Sequence, residues 1–330
     1  DIIYSDGPVT LTVNTVGTRT SLGDKSGDTY PVYWSKGDKI VVNGVESEEA
    51  VINSSNASSA EFTINASCSY PFNVTYPYTS TTTASAPKVL FPAEQSYVEG
   101  SFSHGSAPMY GYATTKGKAI DLKHLAGILR FSIKGSKNGT LLQKVVITSS
   151  DTKIAGEFIV NCSSGAISAT TNATNVVTYT LPANYALSTS KESAMYIALP
   201  ASNVGNCKVE FIDTKGEKMS CNWSGGQLKA GIIREFNTIV YTPGVTSSLA
   251  PLEVESDELE ITYPTVYGYV KDTSGKPISG VAVSDGFSVV TTDNNGYYSI
   301  NVSRDCWYIY ISLPSEYEVP INEYGQPCFF

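Results

Sequence analysis

The chain has little charge and almost no histidine. Charged residues make up 16% of its 330 positions, and its two histidines are His104 and His124. A dinuclear metal centre or a histidine-based catalytic triad would exhaust or exceed that supply. The net charge of −9 gives no basic field that could hold nucleic acid or an anionic membrane.

Familiar site motifs are also missing. No apolar run approaches the ~18 residues of a membrane helix, and neither a GxxxxGK phosphate loop nor a GxGxxG stretch occurs. No CxxC pair suggests a metal ligand set. We therefore expect no cofactor, no metal, no nucleic-acid partner and no membrane-spanning segment, and the sequence does not predict an enzyme.

The residues that are present favour β-structure. Tyrosine, with 22 residues, is twice as frequent as phenylalanine with 11, and tyrosine suits a half-buried pleated strand. The run VTLTVNTV (9–16) alternates apolar and polar residues, which is the period of a strand with one buried face. Ten further runs of this kind, bounded by turn residues, lie at 39–44, 60–66, 72–77, 128–135, 144–149, 156–161, 176–181, 195–200, 208–213 and 236–242. The sequence therefore predicts an all-β fold.

One segment has helical spacing instead. Four apolar residues occupy positions i, i+3, i+4 and i+7, and Asp121 stands where a helix N-cap would. These residues are Leu122, Leu125, Ala126 and Leu129. We predict a short helix over 121–130. His124 lies within it, and because the sequence offers no partner ligands we interpret it as a structural residue.

A composition shift separates a small C-terminal module from the rest of the chain. The stretch 243–265 carries three prolines and five carboxylates, and their mutual repulsion favours an extended, solvated segment. The alternative, that these carboxylates bind Ca²⁺ or carry acid–base chemistry, is less favoured. We predict a linker at 244–264 and a small β-sandwich at 265–330.

The six cysteines allow fifteen disulfide pairings. Cys207 and Cys221 flank a predicted hairpin around Lys215-Gly216 and lie at similar distances from its turn. Because cross-strand neighbours come within disulfide reach, we predict a disulfide between them in an exported protein. The alternative is that the cysteines are small buried hydrophobic residues.

The C-terminal part reads as a compact β module. Asn294-Asn295-Gly296 between two apolar runs predicts a hairpin turn. Asp285 is a candidate for hydrolytic chemistry, but no second group converges with it in the sequence. The sequence ends on two aromatic residues that look like the middle of a strand, so we expect the natural protein to continue beyond Phe330.

Residues 17–243 resemble the bacterial fimbrillin-like family in a series of short, ordered motifs. They are TRT (18–20), VYWSKGDKI (32–40), NG (43–44), EF (61–62), YP (76–77), LFPAEQ (90–95), PMYGYA (108–113), LKHLAGILRF (122–131), KVVI (144–147) and IAGEF (154–158). Each motif is weak alone, and the resemblance rests on their order along more than 200 residues. Elementary packing arguments place Trp34 in a core beside the Gly37-Asp38 turn.

This resemblance implies a fold, a location and a kind of partner. It implies two transthyretin-type β-sandwich domains, at 1–115 and 116–243, in a lipoprotein exported to the outer membrane of a Gram-negative bacterium. It also implies proteolytic trimming after an arginine near the first strand, which Arg19 matches. Trimming would open a groove for a neighbour's strand, so other surface or fimbrial subunits are the implied partners. Glycans are a second kind of partner, because tyrosine rings stack on sugars.

The C-terminal residues resemble a different family. VYGYVKDTSGKPISGVAV (266–283) is similar to the carboxypeptidase-regulatory-like, transthyretin-type domain. VSDGFSVV (283–290) resembles the small β domain that precedes the catalytic domain of bacterial calcineurin-like phosphoesterases. The DxH, GDxxD, GNH and GHxH metal-binding motifs of those enzymes do not occur in this chain.

Two functions are therefore compatible with the sequence. The first is a non-catalytic cell-surface protein whose domains serve fimbriae or adhesion. The alternative is the N-terminal accessory region of a secreted calcineurin-like metallophosphoesterase whose catalytic domain lies beyond Phe330. Neither hypothesis places a catalytic residue within this chain.

Overall fold

A computed structural model describes residues 8–15, 33–52, 59–77, 79–116, 119–252, 265–285, 288–302, 309–312, 314–315 and 317. These residues form β-strands and no helix, which confirms the predicted all-β class. The chain divides into two compact units, 1–261 and 262–330. That division falls within the predicted linker, whereas the finer boundary between residues 115 and 116 stays a prediction.

The first unit begins with nine strands. They are β1 (Val9–Thr15), β2 (Val41–Val42), β3 (Val45–Glu46), β4 (Ser59–Ile64), β5 (Phe72–Tyr76), β6 (Lys88–Phe91), β7 (Glu94–Ser96), β8 (Met109–Ala113) and β9 (Ile120–His124). Seven of them form the N-terminal sheet in the order β3-β2-β5-β8-β9-β1-β4. Strand β1 therefore lies inside the sheet, between β9 and β4.

Alternating burial explains this sheet. In β4, Ala60, Phe62 and Ile64 are buried while the intervening residues are more exposed, as expected for a strand with one face on a core. Trp34 fills that core, with its ring edge-to-face against Phe62 and Tyr76 at centroid distances of 4.8 and 5.4 Å. The predicted core position of Trp34 is thus confirmed.

Twelve more strands complete the first unit. They are β10 (Ala126–Gly135), β11 (Thr140–Ser149), β12 (Gly156–Asn161), β13 (Ala166–Ala169), β14 (Val176–Thr180), β15 (Ala186–Leu187), β16 (Ser193–Pro200), β17 (Cys207–Asp213), β18 (Lys218–Trp223), β19 (Ile233–Glu235), β20 (Ile239–Tyr241) and β21 (Thr246–Ser248). They form sheets in the orders β21-β18-β17-β11-β14-β7, β16-β10-β19 and β13-β12-β6, with β15 on β11 and β20 on β10. Strands β6 and β7 thus pair with strands from much later in the chain.

The helix predicted over 121–130 is wrong. In strand β9 every second residue is buried, namely Ile120, Leu122 and His124, and the residues between them are exposed. Strand β10 follows after Leu125 and lies in a different sheet. Nearly every residue of β10 is buried, so its apolar residues form a continuous run. Such a run contains helix-like spacings by chance, and periodicity alone cannot separate a fully buried strand from a helix.

Gln95 joins two sheets through its side chain. Its Nε2 donates to the Ala198 carbonyl at 2.8 Å, and its Oε1 accepts from the Ala198 backbone N–H at 3.0 Å. The backbone of Gln95 belongs to β7, whereas Ala198 lies in β16 at the end of another sheet. The Gln95 amide therefore supplies β16 with the pair of hydrogen bonds that a neighbouring strand would give.

The described part of the second unit contains five strands in two small sheets. They are β22 (Thr265–Tyr269), β23 (Ala282–Ser284), β24 (Val289–Thr291), β25 (Tyr297–Asn301) and β26 (Tyr310–Ser312). Strand β22 pairs with β25, and the other sheet has the order β24-β23-β26. A turn at 293–296 is confirmed by the Gly296 N–H bond to the Asp293 carbonyl at 2.9 Å. The Asp293 N–H also donates to the Tyr297 carbonyl at 2.9 Å, so the turn closes as a hairpin loop does. Beyond the turn, β24 pairs with β23 and β25 with β22 rather than with each other.

Candidate functional site

The position of β1 is the candidate functional site of the first unit. Strand β1 runs antiparallel to β4, with Leu11 opposite Phe62 and Val13 opposite Ala60. On its other side it runs parallel to β9, with Val13 beside Ile120. An N-terminal strand therefore occupies a slot between two strands that follow it in the chain.

Side chains hold β1 in this slot. Val13 is fully buried and Leu11 is nearly so. The Trp34 indole N–H donates to the Val13 carbonyl at 3.1 Å, and the Asn14 amide donates to the Asp121 carboxylate at 3.0 Å. These contacts anchor the strand from the core and from the edge of β9.

The slot has the chemistry of a strand-binding groove. Strands β4 and β9 direct backbone hydrogen-bonding groups at β1 from both sides. Buried apolar residues, including Phe62 and Ile120, line the slot where Leu11 and Val13 enter it. Backbone pairing of this kind gives affinity, and pockets for alternate side chains give specificity.

A buried carboxylate organises the neighbouring loops. Asp38 is 2% exposed and accepts hydrogen bonds from the Ser35 backbone N–H at 2.7 Å and the Tyr76 hydroxyl at 2.9 Å. His104 Nε2 lies 3.2 Å from the same carboxylate. Burial and the adjacent Asp38 charge hold the pKa of Tyr76 well above its usual value. The Asp38 carboxylate thus has a structural role, because it holds together three segments that are distant in the sequence.

The two histidines differ in environment. The hydrogen bond to Asp38 raises the pKa of His104, whose side chain is 65% exposed. Burial lowers the pKa of His124 to about 3, so this residue is neutral in the folded protein near pH 7. His124 lies in β9 as a buried residue, in agreement with its structural interpretation.

The cysteine pair is not arranged as predicted. Cys207 lies opposite Trp223, and Cys221 lies opposite Val209, so the two cysteines are diagonal neighbours. Diagonal positions of an antiparallel pair are about 7–8 Å apart, which is beyond ordinary disulfide reach. Both are buried free thiols, and burial raises the pKa of each to about 11. This register argues against a Cys207–Cys221 disulfide.

The remaining candidates give no further site. Arg19 and the carboxylates at 253–260 lie outside the described residues. Asp285 is buried and accepts hydrogen bonds from the Ser288 backbone N–H at 2.7 Å and the Ser288 hydroxyl at 3.1 Å, so it holds a turn. Within the described ranges no cluster of histidine, cysteine or carboxylate side chains is arranged to bind a metal. The described residues also contain no helix that could span a membrane.

Comparison with known families gives a match within the second unit. Residues 264–330 match the family model described as the N terminal of calcineurin-like phosphoesterase. This match confirms the resemblance stated for the C-terminal residues. A comparison with curated proteins gives no match.

Several solved structures are similar to most of the chain. A candidate cell adhesion protein from Bacteroides ovatus is 14% identical, with 77% of this chain and 98% of that chain covered and a TM-score of 0.48. A second one, from Bacteroides uniformis, is 16% identical, with 75% and 97% covered and a TM-score of 0.41. The C-terminally truncated tip fimbrial protein Mfa3 from Porphyromonas gingivalis is 11% identical, with 72% and 96% covered and a TM-score of 0.35.

Proposed function

We propose that this chain is a non-catalytic cell-surface protein that joins other surface or fimbrial subunits by exchanging strand β1. The observation that carries the proposal is the slot between β4 and β9, which an N-terminal strand fills with two buried residues, Leu11 and Val13. The ordered fimbrillin-like motifs in 17–243 support the same function. Export to the outer membrane of a Gram-negative bacterium, with a lipid anchor before trimming, belongs to this proposal.

Cleavage after Arg19 is the proposed trigger. The segment that carries Arg19 follows β1, so cleavage would separate β1 from the rest of the chain. The contacts that hold β1 are hydrogen bonds and apolar burial, which a strand of similar pattern from another subunit could replace. The slot would then accept the neighbour's strand.

Proteolysis of the full chain tests this proposal. Treatment with an arginine-specific protease should give a new N-terminus at Thr20, and the Arg19→Ala variant should not give it. The trimmed protein should bind a synthetic peptide of residues 8–15. A peptide with Val13→Asp should fail to bind because Val13 is fully buried, whereas Thr10→Asp at an exposed position should be tolerated. Equal binding of the two variant peptides, or no new end at Thr20, would contradict strand exchange.

A second candidate function follows from the second unit. The family-model match at 264–330 supports a role as the accessory region of a secreted calcineurin-like metallophosphoesterase. The purified chain should then show no phosphatase activity with added Mn²⁺ or Zn²⁺. Reading the gene beyond Phe330 distinguishes the candidates, because the enzyme requires downstream DxH and GNH motifs. Turnover by this chain that is lost in Asp285→Ala would contradict both proposals.

A further inference from the structure

The outward face of the β22–β25 sheet carries a row of tyrosines. Tyr267 and Tyr269 of β22 are 69% and 61% exposed. Tyr269 lies opposite Tyr297 of β25, and Tyr267 lies opposite Ser299. The Tyr297 ring lies 5.3 Å from that of Tyr269 and 6.5 Å from that of Tyr267. Strand geometry therefore places three phenol rings on one face of the sheet, with Tyr267 and Tyr269 exposed and Tyr297 half-buried beside them.

A positive charge lies beside this row. The Lys271 ammonium is 5.4 Å from the centre of the Tyr269 ring. Among the described residues Lys271 makes no ion pair, whereas the neighbouring Asp272 accepts hydrogen bonds from Ser274 and the Lys276 backbone. The charge is thus available to a ligand, and cation–π attraction holds it over the ring.

We propose that this face, the tyrosine row of Tyr267, Tyr269 and Tyr297 with Lys271, binds a carboxylate-bearing glycan. The apolar faces of pyranose rings can lie on phenol rings, whose hydroxyls and that of Ser299 pair with sugar hydroxyls. The Lys271 ammonium complements a sialic or uronic acid carboxylate. The described outward side chains of β22 and β25 include no aliphatic residue and no carboxylate. The centre of a protein–protein interface is usually apolar, so this face is better suited to binding a polyhydroxylated anion than to binding another protein.

This inference names a ligand class for the proposed adhesion function but depends on different residues from strand exchange. The full chain should bind acidic members of an array of sialylated and uronate-containing oligosaccharides more tightly than their neutral parents. Tyr269→Ala and Tyr267→Ala should each weaken binding on the order of tenfold. Tyr112→Ala, at an exposed tyrosine of the first unit, is the matched control and should have no effect.

Lysine variants test the charge. Lys271→Ala should weaken binding to the acidic glycan roughly three- to fivefold and leave binding to its neutral parent unchanged. Lys276→Ala, also in the second unit, is the matched control and should behave as wild type. No binding to any carboxylate-bearing glycan, or full binding by Tyr269→Ala, would overturn the inference. Because Arg19→Ala should bind glycan normally, failure of strand exchange is distinguishable from failure of this site.

Discussion

Folding shifts the pKa values of the two histidines in opposite directions. His104 is largely exposed and bonded to the buried carboxylate of Asp38, which favours its charged form. His124 is buried in β9, where loss of solvation disfavours its charged form. A pKa that differs between the folded and unfolded states makes stability depend on pH, so the two residues should give slopes of opposite sign.

His104 should stabilise the first unit in acid. Because its folded pKa lies above the ordinary 6.5, its contribution is fully present below pH about 6.5 and is lost as pH rises through the raised value. The effect is small because the side chain is mostly exposed. Urea unfolding of wild type and His104→Gln at pH about 5 and about 9 should show a difference only at the lower pH. A difference of equal size at both values would contradict the assignment.

His124 should have the reverse effect. Its folded pKa of about 3 lies below the ordinary 6.5, so the folded state resists protonation and stability falls as pH decreases from about 6.5. His124→Leu should remove this loss and flatten the slope of unfolding free energy between pH about 6 and about 4. A slope that is unchanged in His124→Leu would show that other groups control acid unfolding.

The buried thiols should react slowly. Burial raises the pKa of Cys162 to about 12 and those of Cys207 and Cys221 to about 11, and only the thiolate is nucleophilic. In a variant with Cys306→Ser and Cys328→Ser, the four described cysteines are the ones that remain. A thiol reagent should label this variant slowly in its native state, and in denaturant without reductant it should titrate four thiols. Two thiols in that titration would instead indicate a disulfide.

At the scale of elements, the described residues contain three turns of one type, with the sequence pattern Asp-x-x-Gly. In the turns that start at Asp213, Asp272 and Asp293, the glycine N–H bonds to the aspartate carbonyl. The aspartate Oδ1 accepts backbone N–H groups two and four residues later. The glycine has a positive φ of 82°, 82° and 71°, respectively. Two features define this turn: the aspartate side chain acts like a backbone acceptor, and the glycine adopts a positive φ.

Two glycines of this turn in the second unit should differ in their tolerance of alanine. The space that an added Cβ would occupy at Gly275 is open, so Gly275→Ala should cost only the conformational penalty of positive φ, about 1 kcal/mol. At Gly296 the added Cβ would lie 2.3 Å from the Val270 carbonyl oxygen, so Gly296→Ala should cost considerably more. Denaturant unfolding of both variants measures this. Equal losses would mean that the turn relaxes around the methyl group.

Strands with one buried face were predictable, whereas the connections between them were not. Strands β4 and β17 follow the alternation in the sequence because their two faces differ in burial. Strand β10 is buried along nearly its whole length. Its part at 128–135 was predicted as a strand, whereas its first residues fell within the helix predicted over 121–130, because a continuous apolar run also fits helical spacing. The Asp38 cluster was not predicted, because Tyr76 and His104 are distant in sequence and only the fold brings them together. The β1 slot depends on pairing with β9, which sequence alternation does not specify.

At the scale of the whole molecule, the two compact units should unfold separately. Multidomain chains commonly depart from a single cooperative transition. Val283 in the second unit and Val145 in the first are both fully buried. Calorimetry should show two transitions, with Val283→Asp lowering only one and Val145→Asp only the other, because a buried charge destabilises its own core. A shift of both transitions by either variant would indicate one cooperative unit.

The Gln95 amide has a consequence for the behaviour of the molecule in a crowded environment. A terminal strand with unsatisfied backbone groups is a template on which another chain can polymerise. The Gln95 side chain satisfies both backbone groups of Ala198 from within the same molecule. Another chain therefore cannot pair with β16 at that residue. The edge of β16 is closed to strand addition at Ala198, whereas the proposed exchange of β1 would leave the facing edges of β4 and β9 open until a new strand binds.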